Sequence, residues 1–546
     1  MRTLILSAMS LTAVLAADTL AAQPPLVERV TDSIMARWNQ TTPGCAVGVG
    51  QDGRTLLTKG YGMANLEYGV PLTAASIIET GSVAKQFTAA ALALLELEGK
   101  LSIDDDVRKY LPEVPDFGAT ITIRHLLNHT SGLRDQWGLL SLMGNPPTRQ
   151  VHTIALILHL VSRQRDLNFP PGSEYLYSNT GYTLAGVIVG RVSGMPLAKF
   201  SQERFFKPMG MTSTQWRDDF ERIVPGRATA YQRTGQGYAQ LMPFTNVYGN
   251  GGLLTTVGDL LIWNEALSNG TIPGGKALVD LLETRGRLNS GVTISYALGL
   301  GVGRRGNQRE ISHGGSTAGY QTFLTRFPDA RLSIAVLCNA TDANPVSIIT
   351  GLTDHLLPGP TTTSVAKGPV DTAGLGAVAG RYRDPATDNL ADFTASSEGL
   401  RLRTAVATGT ATNLGPGRYR ASNGAEFEFA TAASPRRVKV TDADGSVSSY
   451  EAVTPPAPSE VRLVDYTGVY RSPELDVRYE VKADSGQLVI VLPPETREKL
   501  QPLYRDGFLI GGRTVRFSRD AAGRVSGFGV YAGRVRNVRF ERVGNP

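Results

Sequence analysis

The sequence predicts an α+β protein: an antiparallel sheet with a helical subdomain beside it, followed by two small antiparallel β-barrels. Three observations predict it. An apolar helical run begins at Ser82, and helical patterning dominates from there to about residue 269. Three strand-like runs follow, at 308–315, 320–327 and 332–339, joined by Gly- or Pro-containing turns. Beyond a Pro358-Gly359-Pro360 breaker the helical period vanishes, and Leu475-Asp476-Val477-Arg478-Tyr479-Glu480-Val481 alternates apolar with polar residues, the mark of a half-buried strand.

Taken in order, residues 1–22 read as an export signal. Met1-Arg2 gives a short positive start, an apolar run extends from Leu4 to Ala17, and small residues at Thr19, Ala21 and Ala22 suit a signal peptidase. That run is shorter than the roughly 20 residues a membrane span needs. No cysteine directly follows it for lipid attachment. The expectation is an exported protein, periplasmic or secreted, with no stable membrane anchor after cleavage.

The first globular domain is placed at 23–357. It opens with a hairpin, strands 45–49 and 55–61 around Asp52-Gly53, and closes with a helix at about 345–357 that returns to pack on the sheet. A second breaker, Thr454-Pro455-Pro456-Ala457-Pro458, divides the remainder into 372–453 and 461–546. These halves look like a repeat. Ala379-Gly380-Arg381-Tyr382-Arg383-Asp384-Pro385 recurs 88 positions later as Thr467-Gly468-Val469-Tyr470-Arg471-Ser472-Pro473. About 85 residues hold some eight short strands, which fits a closed barrel. A pair of β-sandwiches is the alternative.

Composition narrows the function. At 546 residues with 41% hydrophobic content and a net charge of +6, the chain is globular and able to bury a sizeable core. No Lys/Arg block interleaves with aromatics, so no nucleic-acid partner is expected.

The chemistry is carried by Glu79-Thr80-Gly81-Ser82-Val83-Ala84-Lys85. Residues three apart on a helix share a face, so Lys85 can reach the Ser82 hydroxyl within one turn. A serine hydroxyl is a poor nucleophile until a neighbouring base takes its proton, and a desolvated lysine can serve. The pattern alone is short enough to arise by chance. Two further segments support it: Tyr177-Ser178-Asn179 after a Pro170-Pro171-Gly172 turn, and His313-Gly314-Gly315-Ser316 in a strand-like run.

In this order and spacing, Ser-x-x-Lys, Tyr-x-Asn and His-x-Gly resemble the serine β-lactamase and penicillin-binding-protein superfamily. The likeness extends over roughly residues 30–355 and includes 121–133 and 251–260. It implies a β-lactamase-like catalytic domain in which Ser82 attacks a carbonyl to form an acyl-enzyme. Lys85 and Tyr177 would share the proton work, with Tyr177 passing a proton to the leaving group. Asn179 would bind the substrate amide and hold Lys85. The N–H groups of Ser82 and Ser316 would form the oxyanion hole, with Gly315 keeping the approach of the substrate backbone clear. His313 is a departure, because many relatives carry Lys-Thr-Gly there and receive a substrate carboxylate on the lysine. A mostly neutral histidine is a weaker anchor.

The resemblance also sets the two cysteines, Cys45 and Cys338, on neighbouring strands. Two buried thiols are the preferred reading and a disulfide the alternative. His125 and His129 have i,i+4 spacing on a helix, but no His-Glu-x-x-His motif or third ligand accompanies them. They are read as structural, and no metal or cofactor is expected.

Two C-terminal barrels with a His-x-Gly motif most resemble the bacterial D-aminopeptidases, in which a loop from the last barrel reaches the active site and recognises a free amine. The candidate loop is 495–512, with Asp506 as the carboxylate that would pair a substrate ammonium; Arg505-Asp506-Gly507 also reads as an ordinary β-turn. The expected function is release of N-terminal D-amino acids from peptides or amides. The alternative is an esterase or a D-Ala-D-Ala carboxypeptidase or β-lactamase-like hydrolase on the same scaffold. A catalytically silent binding protein is disfavoured by the intact Ser82, Lys85 and Tyr177. Expected partners are a small peptide, amide or ester substrate, and a homodimer is compatible with the chain.

Overall fold

The structure is a computed structural model that describes residues 25–146, 148, 150–357, 374–404, 407–442 and 446–544. The export signal at 1–22 and the Pro358-Gly359-Pro360 breaker lie outside the described residues.

The first domain is built on a six-stranded antiparallel sheet, in the order Gly301–Arg305, Gln308–Thr317, Tyr320–Phe327, Leu332–Cys338, Cys45–Gln51, Arg54–Tyr61. The hairpin turns at Asp52 and Gly53, both with positive φ (52° and 75°), the conformation that a tight two-residue turn demands. The edge strand Gly301–Arg305 is one that the sequence reading misses. Its Gly-Val-Gly-Arg-Arg run is half-exposed and carries no apolar alternation.

Helices cover both faces of this sheet. On one, Leu26–Met35 and Pro345–Leu356 pack Val30, Met35, Ile349 and Leu352 against Val47, Val49, Ile334 and Val336. On the other, Val257 and Leu260 of the helix Val257–Asn269 meet Ala46, Ala335 and Leu337. Cys45 lies directly opposite Cys338 across the central strand pair, with Cα atoms 3.9 Å apart and sulfurs 2.08 Å apart. The cysteines therefore form a disulfide, which corrects the preferred reading of two thiols. The paired register leaves them no other partner at that distance.

The helical subdomain is organised around Lys85–Leu97, in which every side chain from Lys85 to Leu95 is buried. The run Phe-Thr-Ala-Ala-Ala-Leu-Ala-Leu-Leu has high helix propensity and no charge to keep at a surface. Asn179–Ser193 packs beside it.

The C-terminal region forms two closed eight-stranded barrels, Gly380–Arg383 through Val447–Ala452 and Gly468–Ser472 through Val538–Gly544, not a pair of sandwiches. The sequence repeat is also a structural one. Tyr382 donates to the Val378 carbonyl (3.0 Å), and Tyr470 to the Tyr466 carbonyl (2.7 Å). Arg383 pairs with Asp388 and Arg471 with Asp476, each aspartate having positive φ.

The two barrels dock differently. The first has a core of its own, whereas the core of the second is continuous with that of the catalytic domain. At that junction the Tyr479 hydroxyl donates to the Leu142 carbonyl (2.6 Å), and Arg163 to the Pro473 carbonyl (2.7 Å). Arg134 and Glu474, both fully buried, form an ion pair at 2.5 Å. The first barrel instead reaches the second, through Asp388 to Tyr504 (2.5 Å) and Arg516 (2.8 Å).

Candidate active site

Ser82 lies in a 3₁₀ turn, Gly81–Ala84, that leads straight into the buried helix. That turn and the strand Gln308–Thr317 are in close contact. A Cβ on Gly315 would stand 2.0 Å from the Thr80 carbonyl oxygen and 2.4 Å from the Thr322 hydroxyl. A Cβ on Gly81 would stand 2.7 Å from the Ser316 nitrogen, so the backbone nitrogens of Ser82 and Ser316 are brought to one place. Gly315 thus keeps open the approach of strand to turn, a demand internal to the fold. Gly315→Ala is expected to separate the two N–H groups and lower kcat by roughly 10²-fold or more, the usual cost of losing an oxyanion donor. Steady-state kinetics on a nitrophenyl ester, with circular dichroism to confirm folding, provides the check.

Lys85 is fully buried, and its ammonium nitrogen has three partners: Ser82 Oγ at 3.0 Å, Asn179 Oδ1 at 2.9 Å and the Asn250 carbonyl at 2.5 Å. Burial pushes its pKa well below the ordinary lysine value; Asp135 opposes this and Arg534 adds to it. Asn179, the first residue of its helix, is itself held by Asp135, whose Oδ2 accepts from the Asn179 backbone N–H (2.7 Å) and side-chain amide (2.8 Å). Asp135 is a positioning residue the sequence reading missed. It carries no motif of its own, and only the fold brings it 44 residues along the chain to Asn179.

The Tyr177 ring lies 4.9 Å from the Lys85 nitrogen. Its hydroxyl is buried near Ser82 without a regular hydrogen bond to it, and burial drives its pKa far above the ordinary value, with Ser82 and Arg534 opposing. It stays protonated at neutral pH and available as a donor. His129 stacks on Tyr177 at 4.0 Å, and its Nδ1 accepts from the Ser178 N–H (3.1 Å). It lies past the end of the helix Ile123–Leu127 with φ 61°, so it does not share a helical face with His125 as its spacing suggested. Its ring packs against that of the tyrosine.

His313 is buried. Its Nε2 is 2.7 Å from the Tyr296 hydroxyl and its Nδ1 is 2.6 Å from the Gly314 carbonyl. Burial, reinforced by Lys85, lowers its pKa to about 4. The ring is therefore neutral at physiological pH, and both nitrogens are engaged.

Asp506 is elsewhere. It sits with positive φ in the turn between Thr496–Tyr504 and Gly507–Ile510, and its carboxylate accepts from Arg519 (2.7 Å) and from the Tyr466 hydroxyl (2.9 Å). Burial works to raise its pKa, but these two partners hold it below the ordinary value. It does not line the active-site cavity, and its charge is satisfied inside the barrel. This corrects the assignment of Asp506, and of 495–512, to substrate recognition.

The barrel segment that does reach the cavity is the turn between Val525–Tyr531 and Val538–Gly544. There Val535 is fully buried against Gly138, and the Arg534 guanidinium lies 4.5 Å over the Tyr177 ring. In the sequence this turn is marked only by a valine between two arginines, Arg534-Val535-Arg536. Ser82, Tyr177, Asn179, His313, Gly315, Ser316 and Arg534 all line one cavity of about 870 Å³.

The chain is similar to known proteins. The beta-lactamase family model matches residues 27–353. Penicillin-binding protein 4* of Bacillus subtilis is 31% identical over 309 residues, 53% of this chain and 66% of that protein, so the chain spans just under two thirds of that relative. A D-aminopeptidase of Cereibacter sphaeroides is 26% identical over 489 residues, 88% of this chain and 89% of that one. Among solved structures, the octameric penicillin-binding protein homologue from Pyrococcus abyssi shares the fold at a TM-score of 0.54 and 21% identity, covering 86% of this chain and 98% of that one. The chain belongs to the beta-lactamase family of serine hydrolases. A further relative, a D-aminopeptidase of Brucella anthropi, is 30% identical over 304 residues, 55% of this chain and 57% of that one.

Proposed function

We propose that this protein cleaves peptide or amide bonds adjoining D-amino acids through an acyl-enzyme on Ser82. The observation that carries the reading is the shared, buried hydrogen-bond system in which Lys85 touches both Ser82 and Asn179 beneath the Tyr177 ring. Lys85 takes the Ser82 proton, the N–H groups of Ser82 and Ser316 receive the oxyanion, and Tyr177 protonates the departing amine. Water then releases the acyl group by the reverse proton route. Similarity to a D-aminopeptidase along 88% of the chain supports the D-amino-acid preference. Export to an oxidising compartment is supported by the Cys45–Cys338 disulfide. Among the described residues no helix is long and apolar enough to cross a membrane.

A second reading, a carboxypeptidase or β-lactamase-like hydrolase, is favoured by one observation. The barrel brings a cation, Arg534, to the cavity where an amine-selecting enzyme would need a carboxylate. Hydrolysis of D- and L-alanyl nitroanilides, a nitrophenyl ester and a cephalosporin, combined with serine-directed phosphonate labelling, tests both. Failure of Ser82 to label would overturn the acyl-enzyme.

The pH profile follows from the same geometry. Lys85 must be neutral to accept a proton, so activity is present above its pKa and lost as pH falls through it. With burial holding that pKa well below 10.5, kcat/KM on a neutral ester is expected to rise to its plateau far short of the ordinary lysine range. His313, already neutral above about pH 4, contributes no inflection near 6.5. An inflection there that vanishes in His313→Gln would contradict this.

A further inference from the structure

The cations around the cavity differ in how fully their donors are used. Arg217 is spent on Glu79 through two bonds of 2.8 Å and on the Thr245 carbonyl, and Glu79 also takes Arg227 at 3.4 Å. The Lys85 nitrogen is fully engaged by Ser82, Asn179 and Asn250. His313, which stands where many relatives place a carboxylate-binding lysine, is engaged at both nitrogens. Of the two arginines that line the cavity, Arg217 is paired with a carboxylate, and Arg534 has none within ion-pairing distance among the described residues. Its guanidinium rests on the Tyr177 ring, and its side chain remains exposed to the cavity.

The backbone that carries Arg534 is fixed. Its carbonyl accepts from the Asn168 amide (2.9 Å) and from the Asp135 N–H (3.3 Å). On its far side, Arg134 donates to the carbonyls of Arg536 (3.0 Å) and Asn537 (3.0 Å), and the Arg536 N–H donates to Asn168 (2.8 Å). A surface arginine on a free hairpin would sample solvent. This one stands on a hairpin whose backbone is fixed on both sides, with its guanidinium over the Tyr177 ring. A guanidinium presents a planar fork that matches a carboxylate with two parallel bonds. Stacking on an aromatic face leaves that fork available at its edge.

We propose that Arg534, delivered by the second barrel, is the specificity-determining residue for a substrate carboxylate, so that the preferred substrates are peptides or amides with a free carboxylate flanking the scissile bond. The barrel then takes over the anchoring duty that the His313 strand has given up. It also sets this chain apart from an enzyme that selects a free amine, since the cation repels an ammonium at the same mouth. The inference rests on the acyl-enzyme reading of this cavity, but its test need not.

Binding is measured calorimetrically in the inactive Ser82→Ala background, comparing N-acetyl-D-alanyl-D-alanine with its C-terminal amide. The acid is expected to bind roughly tenfold to a hundredfold more tightly than the amide, the range for one charge-assisted bidentate contact. Adding Arg534→Gln should collapse that ratio towards one, Arg534→Lys should restore part of it, and Arg534→Glu should invert it. An acid-to-amide ratio unchanged by Arg534→Gln in a protein of unaltered melting temperature overturns the proposal. So does equal weakening of both ligands, the signature of a merely structural role. If Ser82 fails to label while the ratio responds to Arg534, the acyl-enzyme reading fails and the carboxylate site stands.

Discussion

Replacing Ser82 with alanine is expected to lower turnover by about 10⁴-fold or more while leaving the protein folded. The loss is large because the covalent route disappears with the hydroxyl, and residues that act as a unit forfeit nearly their whole contribution together. The fold should survive because the shape of the nucleophile turn is set elsewhere. Gly81 takes a φ of 52° that side-chain-bearing residues resist, and Gly315 allows the neighbouring strand to close on it. Lys85 keeps its bonds to Asn179 and Asn250. Initial rates on a nitrophenyl ester, read beside thermal unfolding, decide the matter. Retention of more than a few percent of wild-type turnover in a folded variant would move the nucleophile elsewhere.

The second large effect is on stability. Arg134→Met is expected to destabilise the protein by about 3–5 kcal/mol, the cost of leaving one member of a buried ion pair without its partner. Both side chains are almost wholly excluded from water, at 0% and 1% exposure, so solvent cannot take the place of the lost arginine. Removing both charges, as Arg134→Met with Glu474→Leu, should recover part of the loss, since no uncompensated carboxylate remains. It should not recover substrate selection. Arg134 also donates to the carbonyls of Arg536 and Asn537, and neither methionine nor leucine can fix that turn. Denaturant unfolding of the single and double variants, with acid and amide substrates compared in each, separates the two roles. A double variant with normal selectivity would show that the turn is held by its other contacts.

Much of this molecule is legible in its sequence because the signals are local. Ser82 and Lys85 are one helical turn apart, Tyr177 and Asn179 flank a helix start, and the Gly-x-Tyr corner of each barrel recurs at a constant offset of 88. What escaped is what only tertiary structure brings together. Asp135 has no motif and acquires meaning when folding sets it against Asn179. The disulfide depends on register between strands 293 residues apart. Asp506 looked functional because an acidic residue at a turn tip is easily imagined facing a ligand, yet in three dimensions it closes on Arg519 within its own barrel. Arg534 belongs to no motif in the sequence, and the fold sets its guanidinium over the Tyr177 ring. In both cases the sequence shows a charge and the fold decides what it meets.

The docking of the repeats reverses the order of the chain. Polypeptide runs from catalytic domain to first barrel to second, but the contacts run from catalytic domain to second barrel to first. The equivalent corner is used at both joints: the 384–388 corner of one barrel meets its sister, and the 472–476 corner of that sister meets the enzyme. The second of the three domains in the chain therefore stands at the end of the row. A ribosome delivers the first barrel before the surface it will rest on has been made, so that joint forms last. By the same token, the first barrel meets the rest of the molecule through the second, while the last 85 or so residues pack directly on the catalytic domain.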